Sequence, residues 1–144
     1  MSTVYIVYWS GTGNTEAMAQ AVAAGVTEGG AEAVVWNVSE ADIEAVAGAK
    51  AIALGCPSMG AEQLEESEME PFMTDLDGKI SGKTVGLFGS YGWGAGEWME
   101  DWVNRVNADG ATALNGEGII CNGAPDADTL ENLKALGRDL AANA

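Results

Sequence analysis

The sequence predicts an α/β fold, a doubly wound parallel sheet of five strands in the order 2-1-3-4-5. Five short apolar runs alternate with segments in which apolar residues recur at helical spacing. Strands that alternate with helices form a parallel sheet with helices on both faces. A ligand then lies beyond the carboxyl ends of the strands, where the strand order reverses. Glycine-rich segments follow the first, third and fourth runs, so we expect the functional site at that edge.

The first strand and the first helix are joined by residues 9–15, which read WSGTGNT. Residues 4–8 are β-branched or aromatic and predict a strand, and Met18, Val22 and Val26 then recur at helical spacing. Two glycines let backbone N–H groups converge on the positive end of the helix, which attracts an anion. Hydroxyl and amide side chains add further donors. We therefore predict a phosphate site formed by Ser10, Gly11, Thr12, Gly13, Asn14 and Thr15.

The same segment differs from two familiar phosphate-binding motifs. It has no lysine, whereas a Walker A motif places a lysine on the phosphates of a hydrolysable triphosphate. Glu16 occupies the position of the third glycine in a dinucleotide fingerprint. No Lys or Arg precedes Lys50, so a phosphate here is bound without a cationic side chain from the first third of the chain. The alternative is a Ser or Thr that caps an ordinary helix.

The next elements follow in order. Residues 33–38 predict a second strand. Ser39 and the acidic residues after it predict a short helix to about Ala47. Residues 51–55 are apolar throughout, as in a strand that is buried on both faces.

The second half of the sequence contains the other two strands. Residues 62–70 hold five glutamates and predict an acidic, exposed rim before the next helix. Residues 84–89 predict a fourth buried strand, followed by a glycine-rich loop and a helix that ends near Gly110. Residues 113–120 predict an irregular fifth strand that is interrupted by Asn115 and Gly116, and leucines at helical spacing over 130–140 predict a terminal helix.

Length and composition set the class of the protein. The chain of 144 residues, 47% of them hydrophobic, fits a single domain over residues 1–144. Its formal charge of −16 argues against nucleic acid and anionic membranes, so we expect any macromolecular partner to be basic. The sequence shows no signal peptide and no membrane span, which predicts a cytoplasmic protein. It contains no histidine, which excludes a histidine base or triad.

The two cysteines, Cys56 and Cys121, follow the third and fifth strands. In the order 2-1-3-4-5 the fourth strand separates them, which places them about 10 Å apart. That distance is too long for a disulfide. We therefore predict two free, buried thiols.

The loops after the third and fourth strands carry side chains suited to a flat ligand. Met59 lies beside Gly60, and Tyr91 and Trp93 are spaced by glycine. A thioether on one side and an indole on the other could enclose a planar ring next to the phosphate site. The alternative is that Met59 and Trp93 are packing residues. Three such loops at one sheet edge favour the ring.

With these motifs the sequence resembles the flavodoxins, specifically the short-chain type of anaerobic bacteria, and a flavodoxin-like fold follows. The resemblance runs nearly end to end. It is strongest over residues 7–16 (VYWSGTGNTE), over 54–57 (LGCP) with Met59 and Gly60, and over 86–94 (GLFGSYGWG). Three loops that match in register are far more specific than one glycine motif.

The resemblance implies noncovalently bound FMN with its phosphate in the loop 10–15. Met59 would cover one face of the isoalloxazine ring and Trp93 the other, with Glu62 on the ring N3–H. The Gly60 carbonyl would accept a hydrogen bond from N5–H of the semiquinone. The other cofactor-binding residues implied are Ala61, Ser90, Tyr91, Gly92, Gly94 and Asn122.

The resemblance also implies the function, a low-potential one-electron carrier that shuttles mainly between the semiquinone and the hydroquinone and is not an enzyme. Electrostatics agree, since an anionic hydroquinone would lie near a phosphate and many carboxylates without a cationic loop. The implied partners are basic redox proteins, reductases and oxidoreductases, and the implied state is a monomer. The glutamates of the acidic rim, with Glu97, Glu100 and Asp101, are expected to flank the flavin edge.

Ala61 departs from the polar residue that relatives often carry after the glycine. If the reduced-state turn needs a positive φ at residue 61, alanine adds roughly 1 kcal/mol of strain. We therefore expect a narrower gap between the two reduction potentials in the parent than in Ala61→Gly. Potentiometric titration of both proteins measures the gap, and an equal or wider gap in the parent contradicts the expectation.

Other protein classes fit this pattern less well. A receiver domain needs an acidic pair where the sequence has Trp9 and Ser10, and a low-molecular-weight tyrosine phosphatase needs a Cys and an Arg in its phosphate loop. An FMN-dependent NAD(P)H or quinone reductase is the best enzymatic alternative, but it needs a pocket over the ring face that Trp93 is expected to cover. A plain acidic interaction module would be a colourless protein.

Overall fold

The chain folds into a parallel sheet with helices on both faces. The structure is a computed structural model, and it describes residues 2–60 and 62–144. The strands are β1 (Thr3–Tyr8), β2 (Glu32–Asn37), β3 (Ala51–Gly55), β4 (Thr84–Tyr91), β5 (Thr112–Ala113) and β6 (Ile119–Asn122). The helices are α1 (Asn14–Glu28), α2 (Ile43–Gly48), α3 (Met69–Leu76), α4 (Glu97–Ala108) and α5 (Ala127–Ala142). None of the helices described has the length and apolar character needed to span a bilayer.

The strand order confirms the predicted topology. The sheet runs β2-β1-β3-β4-β5, and β6 also pairs with β4. Residues 84–85 of β4 pair with β5 and residues 88–91 pair with β6, so the two short strands share one position beside β4. Together they form the fifth strand of the order 2-1-3-4-5. All of these pairs are parallel, which places the carboxyl ends of the strands at one edge.

The core consists of two layers, one on each face of the sheet. Alternate side chains of a strand point to opposite faces. Ile6 of β1 packs in the layer with Met18 of α1 and Leu136 of α5, whereas Val7 packs with Met73 of α3 and Trp102 of α4. β3 is buried along its whole length, as its sequence predicts for a strand covered on both faces, whereas β1 is buried except at Thr3 and Tyr5, which are partly buried.

The fourth strand is longer than predicted, whereas the fifth is interrupted at the predicted place. β4 continues two residues past Gly89 because its pairing with β6 extends to Tyr91 and Asn122. The fifth strand is interrupted where Asn115 adopts a left-handed backbone, with φ 65°. Ser90 and Tyr91 therefore lie in a strand and not in the loop after it.

The second helix also begins later than predicted. The Asn37 side chain accepts a hydrogen bond from the Ser39 N–H at 3.0 Å, which favours a short 3-10 turn over Val38–Glu40. Ala41 is extended, and Asp42 then caps α2 by accepting from the Glu44 N–H at 3.0 Å. A local side-chain hydrogen bond thus divides what the sequence predicts as one helix.

Both cysteines are free, as predicted. Cys56 is fully buried, and burial raises the pKa of its thiol to about 12. Cys121 is only partly buried, so the expectation that both are buried was wrong for this residue. Its side chain lies near the sheet edge, where the Sγ atom is 3.4 Å from the Gly123 carbonyl oxygen.

A charged cluster joins α3 to α4. Arg105 donates to both carboxylate oxygens of Glu70, at 2.9 and 2.8 Å, and to Asp77 at 2.7 Å. Asp109 follows the last residue of α4, and its Oδ2 atom is buried without a partner among the described residues. Burial, and then the neighbouring Asp77 carboxylate, raise the pKa of Asp109 to about 6. Asp109 therefore keeps its proton at mildly acidic pH. The protonated side chain stabilises the folded protein relative to the ionised one.

We expect Asp109→Asn to be more stable than the parent at pH 8, by about 1–2 kcal/mol. A folded pKa raised from 3.8 to about 6 gives the parent stability that is complete below pH 4 and is lost as the pH rises through 6. The uncharged amide has no such loss. Urea unfolding from pH 4 to 8 measures the difference, and the exposed Asp75→Asn serves as control. A difference that does not grow with pH contradicts this account.

Candidate functional site

Helix α1 begins with its backbone open to a ligand. Its N-cap, Gly13, has a left-handed backbone with φ 95° and forms no side-chain capping bond. The Ser10 hydroxyl accepts a hydrogen bond from the Gly13 N–H at 3.0 Å and so fixes the curl of the loop. Thr12 lies farther from its nearest backbone donor, since Oγ1 is 3.5 Å from the Asn14 nitrogen. An uncapped helix N-terminus in a glycine-containing loop is suited to an anion, and no Ser or Thr occupies the N-cap position, as the alternative of simple capping requires.

Thr15 provides the test of whether a phosphate fits. Its side chain is 1% exposed, yet the Oγ1 atom has no hydrogen-bond partner among the described residues. A buried hydroxyl without a partner costs about 1–3 kcal/mol. Such a group at the first turn of α1 is accounted for when a ligand supplies an acceptor. The residues of this loop therefore fit a phosphate group.

Glu16 ties the start of α1 to the end of β1. The Tyr8 hydroxyl donates to Glu16 Oε2 at 2.8 Å. Burial, followed by this carboxylate, raises the pKa of Tyr8, so the phenol stays protonated and keeps donating. Glu16, which replaces the third glycine of the dinucleotide fingerprint, thus holds α1 against β1. The sequence pattern does not indicate this role.

The loop after β3 forms a tight hairpin. Met59 and Gln63 exchange two backbone hydrogen bonds, with Met59 N to Gln63 O at 2.9 Å and Gln63 N to Met59 O at 3.0 Å. Gly60 and Glu62 both have left-handed backbones, with φ 53° and 54°. Ala61, for which the sequence predicts strain, lies outside the described residues. The Glu62 carboxylate accepts from the N–H groups of Gly96 and Glu97 at the start of α4.

Glu65 corrects the expectation of a uniformly exposed acidic rim. It is only 6% exposed, and its carboxylate accepts from three backbone N–H groups, those of Ser67, Glu68 and Met69, at 2.6, 2.9 and 3.1 Å. Burial acts to raise the pKa of Glu65, but these three hydrogen bonds hold it below its usual value. Glu65 therefore anchors the segment that carries the hairpin, a role that no pattern in the sequence signals.

Three side chains at the end of β4 and in the loop after it, those of Ser90, Tyr91 and Trp93, have different contacts. The Ser90 hydroxyl donates to the Gly123 carbonyl at 2.8 Å and joins β4 to the turn after β6. The Tyr91 ring packs on Trp98 with ring centroids 5.8 Å apart. Trp93 is 65% exposed, and it is the large hydrophobic side chain that the described part of the chain leaves in solvent.

A cleft of about 300 Å³ brings the three loops together at the carboxyl edge of the sheet. This volume lies at the lower end of the range of ligand pockets, about 300 to 1,000 Å³. The lining includes seven of the expected residues: Gly11, Thr12, Asn14, Met59, Ser90, Tyr91 and Gly92. It also includes four that sequence reasoning missed: Trp9, Pro57, Ser58 and Gly123.

The position of each missed residue explains why it was missed. Trp9, Pro57 and Ser58 lie inside the loops already singled out, so their proximity to a candidate residue was a usable signal. Gly123 follows an irregular strand whose register the sequence does not define. The other expected residues that the structure describes do not line the cleft: Ser10, Gly13, Thr15, Gly60, Glu62, Trp93, Gly94 and Asn122.

An open helix N-terminus beside an apolar, aromatic cleft at the switch point of a doubly wound sheet defines a mononucleotide-binding α/β protein. The family model described as Flavodoxin matches residues 6–136. The chain is 53% identical to the flavodoxin of Megasphaera elsdenii and 48% identical to that of Clostridium beijerinckii. Each match covers 123 residues, 85% of this chain, with 88% and 89% of the respective relatives.

The solution structure of two-electron reduced Megasphaera elsdenii flavodoxin superposes with a TM-score of 0.86 at 48% identity, over 94% of this chain and 98% of that one. The chain belongs to the flavodoxin family. Flavodoxins are one-electron carriers that bind FMN and are not enzymes. The reductase alternative is not favoured by these comparisons.

Proposed function

We propose that residues 10–15 bind the FMN phosphate and that the cleft between the three loops holds the rest of the cofactor, within a single domain over residues 1–144. Bound FMN supplies a redox centre that takes up electrons one at a time. The observation that carries this assignment is the buried Thr15 hydroxyl, which has no partner among the described residues. The Ser10 oxygen already accepts from Gly13, so its own hydrogen remains to be donated to a phosphate oxygen.

We propose that Met59 and Trp93 enclose the isoalloxazine ring. Met59 lines the cleft, and the indole of Trp93 lies on the neighbouring loop with 65% of its surface in solvent. A large exposed hydrophobic side chain beside a cleft is typical of a surface that contacts a ligand. A flat ring packed against Trp93 would cover apolar surface that is otherwise in water.

We infer that the protein works at low potential. The formal charge is −16, and the loop proposed for the phosphate contains neither Lys nor Arg. Each added electron brings more negative charge to a strongly acidic protein, and the loop 10–15 supplies no cationic side chain to offset it. The Gly60 carbonyl is proposed to accept the hydrogen bond from ring N5–H, because glycine turns its peptide at low cost.

Titration of the FMN-free protein with FMN tests the assignment. We expect one FMN per chain, with quenching of flavin fluorescence as the ring enters the aromatic cleft. Riboflavin, which lacks the phosphate, is the matched control and is expected to bind at least about tenfold more weakly, since it cannot use the loop 10–15. Equal affinity for the two flavins would contradict the phosphate assignment. Steady oxidation of NADPH without a partner reductase would favour the enzymatic alternative.

We propose that the redox partner docks beside Trp93 through basic side chains. Glu97, Glu100 and Asp101 are exposed at the start of α4, next to the loop that carries Trp93. Opposite charges steer encounter, and salt screens that attraction. Electron transfer from the reduced protein to a basic c-type cytochrome is therefore expected to slow several-fold as ionic strength rises from 0.01 to 0.15 M. Stopped-flow rates that do not change with salt rule out this docking mode.

A further inference from the structure

Helix α4 begins without a capping side chain of its own. Its N-cap, Gly96, has φ 90° and makes no side-chain capping bond. The acceptor is supplied by Glu62, whose Oε1 atom accepts from the N–H groups of Gly96 and Glu97, each at 3.0 Å. A carboxylate also complements the positive end of the helix dipole. Glu62 thus caps a helix that starts 35 residues later in the sequence.

The loop before α4 packs directly on this carboxylate. A Cβ atom at Gly94 would lie 2.6 Å from Glu62 Cδ and 2.7 Å from Oε1, so any larger residue would displace the carboxylate. Gly94 also has φ 94°, which disfavours a side chain for a second reason. The glycine is therefore matched to Glu62 as well as to the backbone turn.

At its other end Glu62 belongs to the hairpin that carries Met59 and Gly60. Its φ of 54° is unusual for a residue with a side chain and is strained. Two hydrogen bonds to a charged acceptor outweigh the strain of one left-handed residue. The hydrogen bonds from Gly96 and Glu97 to Glu62, here called the Glu62 bridge, therefore explain why the hairpin keeps this conformation.

We propose that Glu62 is a positioning residue that sets the spacing between the Met59 hairpin and the Trp93 loop. The Glu62 bridge joins the two parts of the protein that are proposed to enclose the isoalloxazine ring, so this inference rests on the proposed function. The residue acts through the backbone of Gly96 and Glu97. This role is separate from the N3–H contact that family resemblance implies, since it joins two parts of the protein itself.

The bridge is tested first on FMN-free protein, by amide hydrogen exchange measured with NMR. Glu62→Gly removes the carboxylate and also relieves the left-handed strain, and Glu62→Gln keeps an uncharged acceptor. We expect the Gly96 and Glu97 amides to exchange at least about tenfold faster in Glu62→Gly, with an intermediate change in Glu62→Gln. Glu66→Ala is the control, because among the described residues Glu66 accepts a hydrogen bond from the Gln63 side chain alone. Unchanged exchange at both amides in Glu62→Gly overturns the bridge.

The positioning role is tested second, on the FMN-loaded proteins. A change in the spacing of the two loops should weaken FMN binding about tenfold in Glu62→Gly and alter the separation of the two one-electron midpoint potentials. It should also shift the NMR signals of the Met59 methyl group and the Trp93 indole N–H in the FMN-free protein, which loss of an N3–H contact alone would leave unchanged. Glu62→Gln should return both quantities toward those of the parent. Faster amide exchange with unchanged affinity and potentials would reduce Glu62 to a helix cap and overturn the proposal. Failure of the parent to bind FMN would instead contradict the proposed function, and the exchange result would still stand.

Discussion

Thr15→Val is expected to weaken FMN binding by about 10- to 100-fold while leaving the FMN-free protein as stable as the parent or slightly more stable. The lost hydroxyl would donate to a charged phosphate, and a hydrogen bond to a charged group contributes about 1.5–3 kcal/mol. In the protein itself Oγ1 has no partner among the described residues, so its removal breaks no internal bond. Valine has nearly the same shape and fills the same buried space.

Fluorescence titration with FMN measures the affinity, and urea unfolding of the FMN-free protein measures the stability. The matched control is Thr27→Val, which makes the same change on an exposed position of the same helix and is expected to leave affinity unaltered. In Thr15→Val the affinity for FMN should fall, whereas the free energy of unfolding of the FMN-free protein should stay the same or rise slightly. Equal loss of affinity in both variants, or a large loss of stability in Thr15→Val, would show that the hydroxyl has a structural partner.

Gly137→Ala is expected to destabilise the fold by about 3 kcal/mol or more. Helices α1 and α5 pack so closely that a Cβ atom at Gly137 would lie 2.1 Å from the Val22 carbonyl oxygen and 2.7 Å from the Val26 nitrogen. Both contacts are with backbone, so relief requires the helices to separate. Alanine is the better helix former by about 1 kcal/mol, but overpacking of this severity exceeds that gain. Since α1 begins at the loop proposed to bind the phosphate, FMN affinity should fall as well.

Denaturant unfolding compares the free energy of unfolding of Gly137→Ala with that of Gly48→Ala, which is the control. Gly48 is the last residue of α2, and a Cβ atom built there meets nothing within 4 Å. That variant is expected to be neutral or stabilised by up to about 1 kcal/mol. A Gly137→Ala protein as stable as the Gly48→Ala protein would contradict the close packing of α1 and α5.

The open helix start at residues 10–15 could be predicted because its geometry is local. A strand, two glycines, several hydroxyls and a helix within one short segment determine where the N–H groups point. The structure adds that Thr15 is the buried member and that Ser10 shapes the loop by accepting from Gly13. Which hydroxyl is left without a partner depends on the tertiary packing around it. The spacing of residues in the sequence does not determine that packing.

The acidic segment shows the opposite case. Its glutamates look alike in the sequence, but they do three different things: Glu65 is buried on backbone N–H groups, Glu70 pairs with Arg105, and Glu62 caps α4. Each role is defined by a partner, and two of those partners are more than 30 residues away. Composition alone predicts an exposed rim, and it predicts the wrong surroundings for Glu65.

The sequence by itself determined the alternation of strands and helices, the strand order, the position of the glycine-containing loop before α1 and the family, because periodicity and short motifs act over a few residues. The tertiary structure alone decided that β4 extends to Tyr91 and that Glu62 joins the hairpin to α4. These features depend on which distant segments meet. Only the folded chain brings a carboxylate at residue 62 to the helix that begins at residue 97.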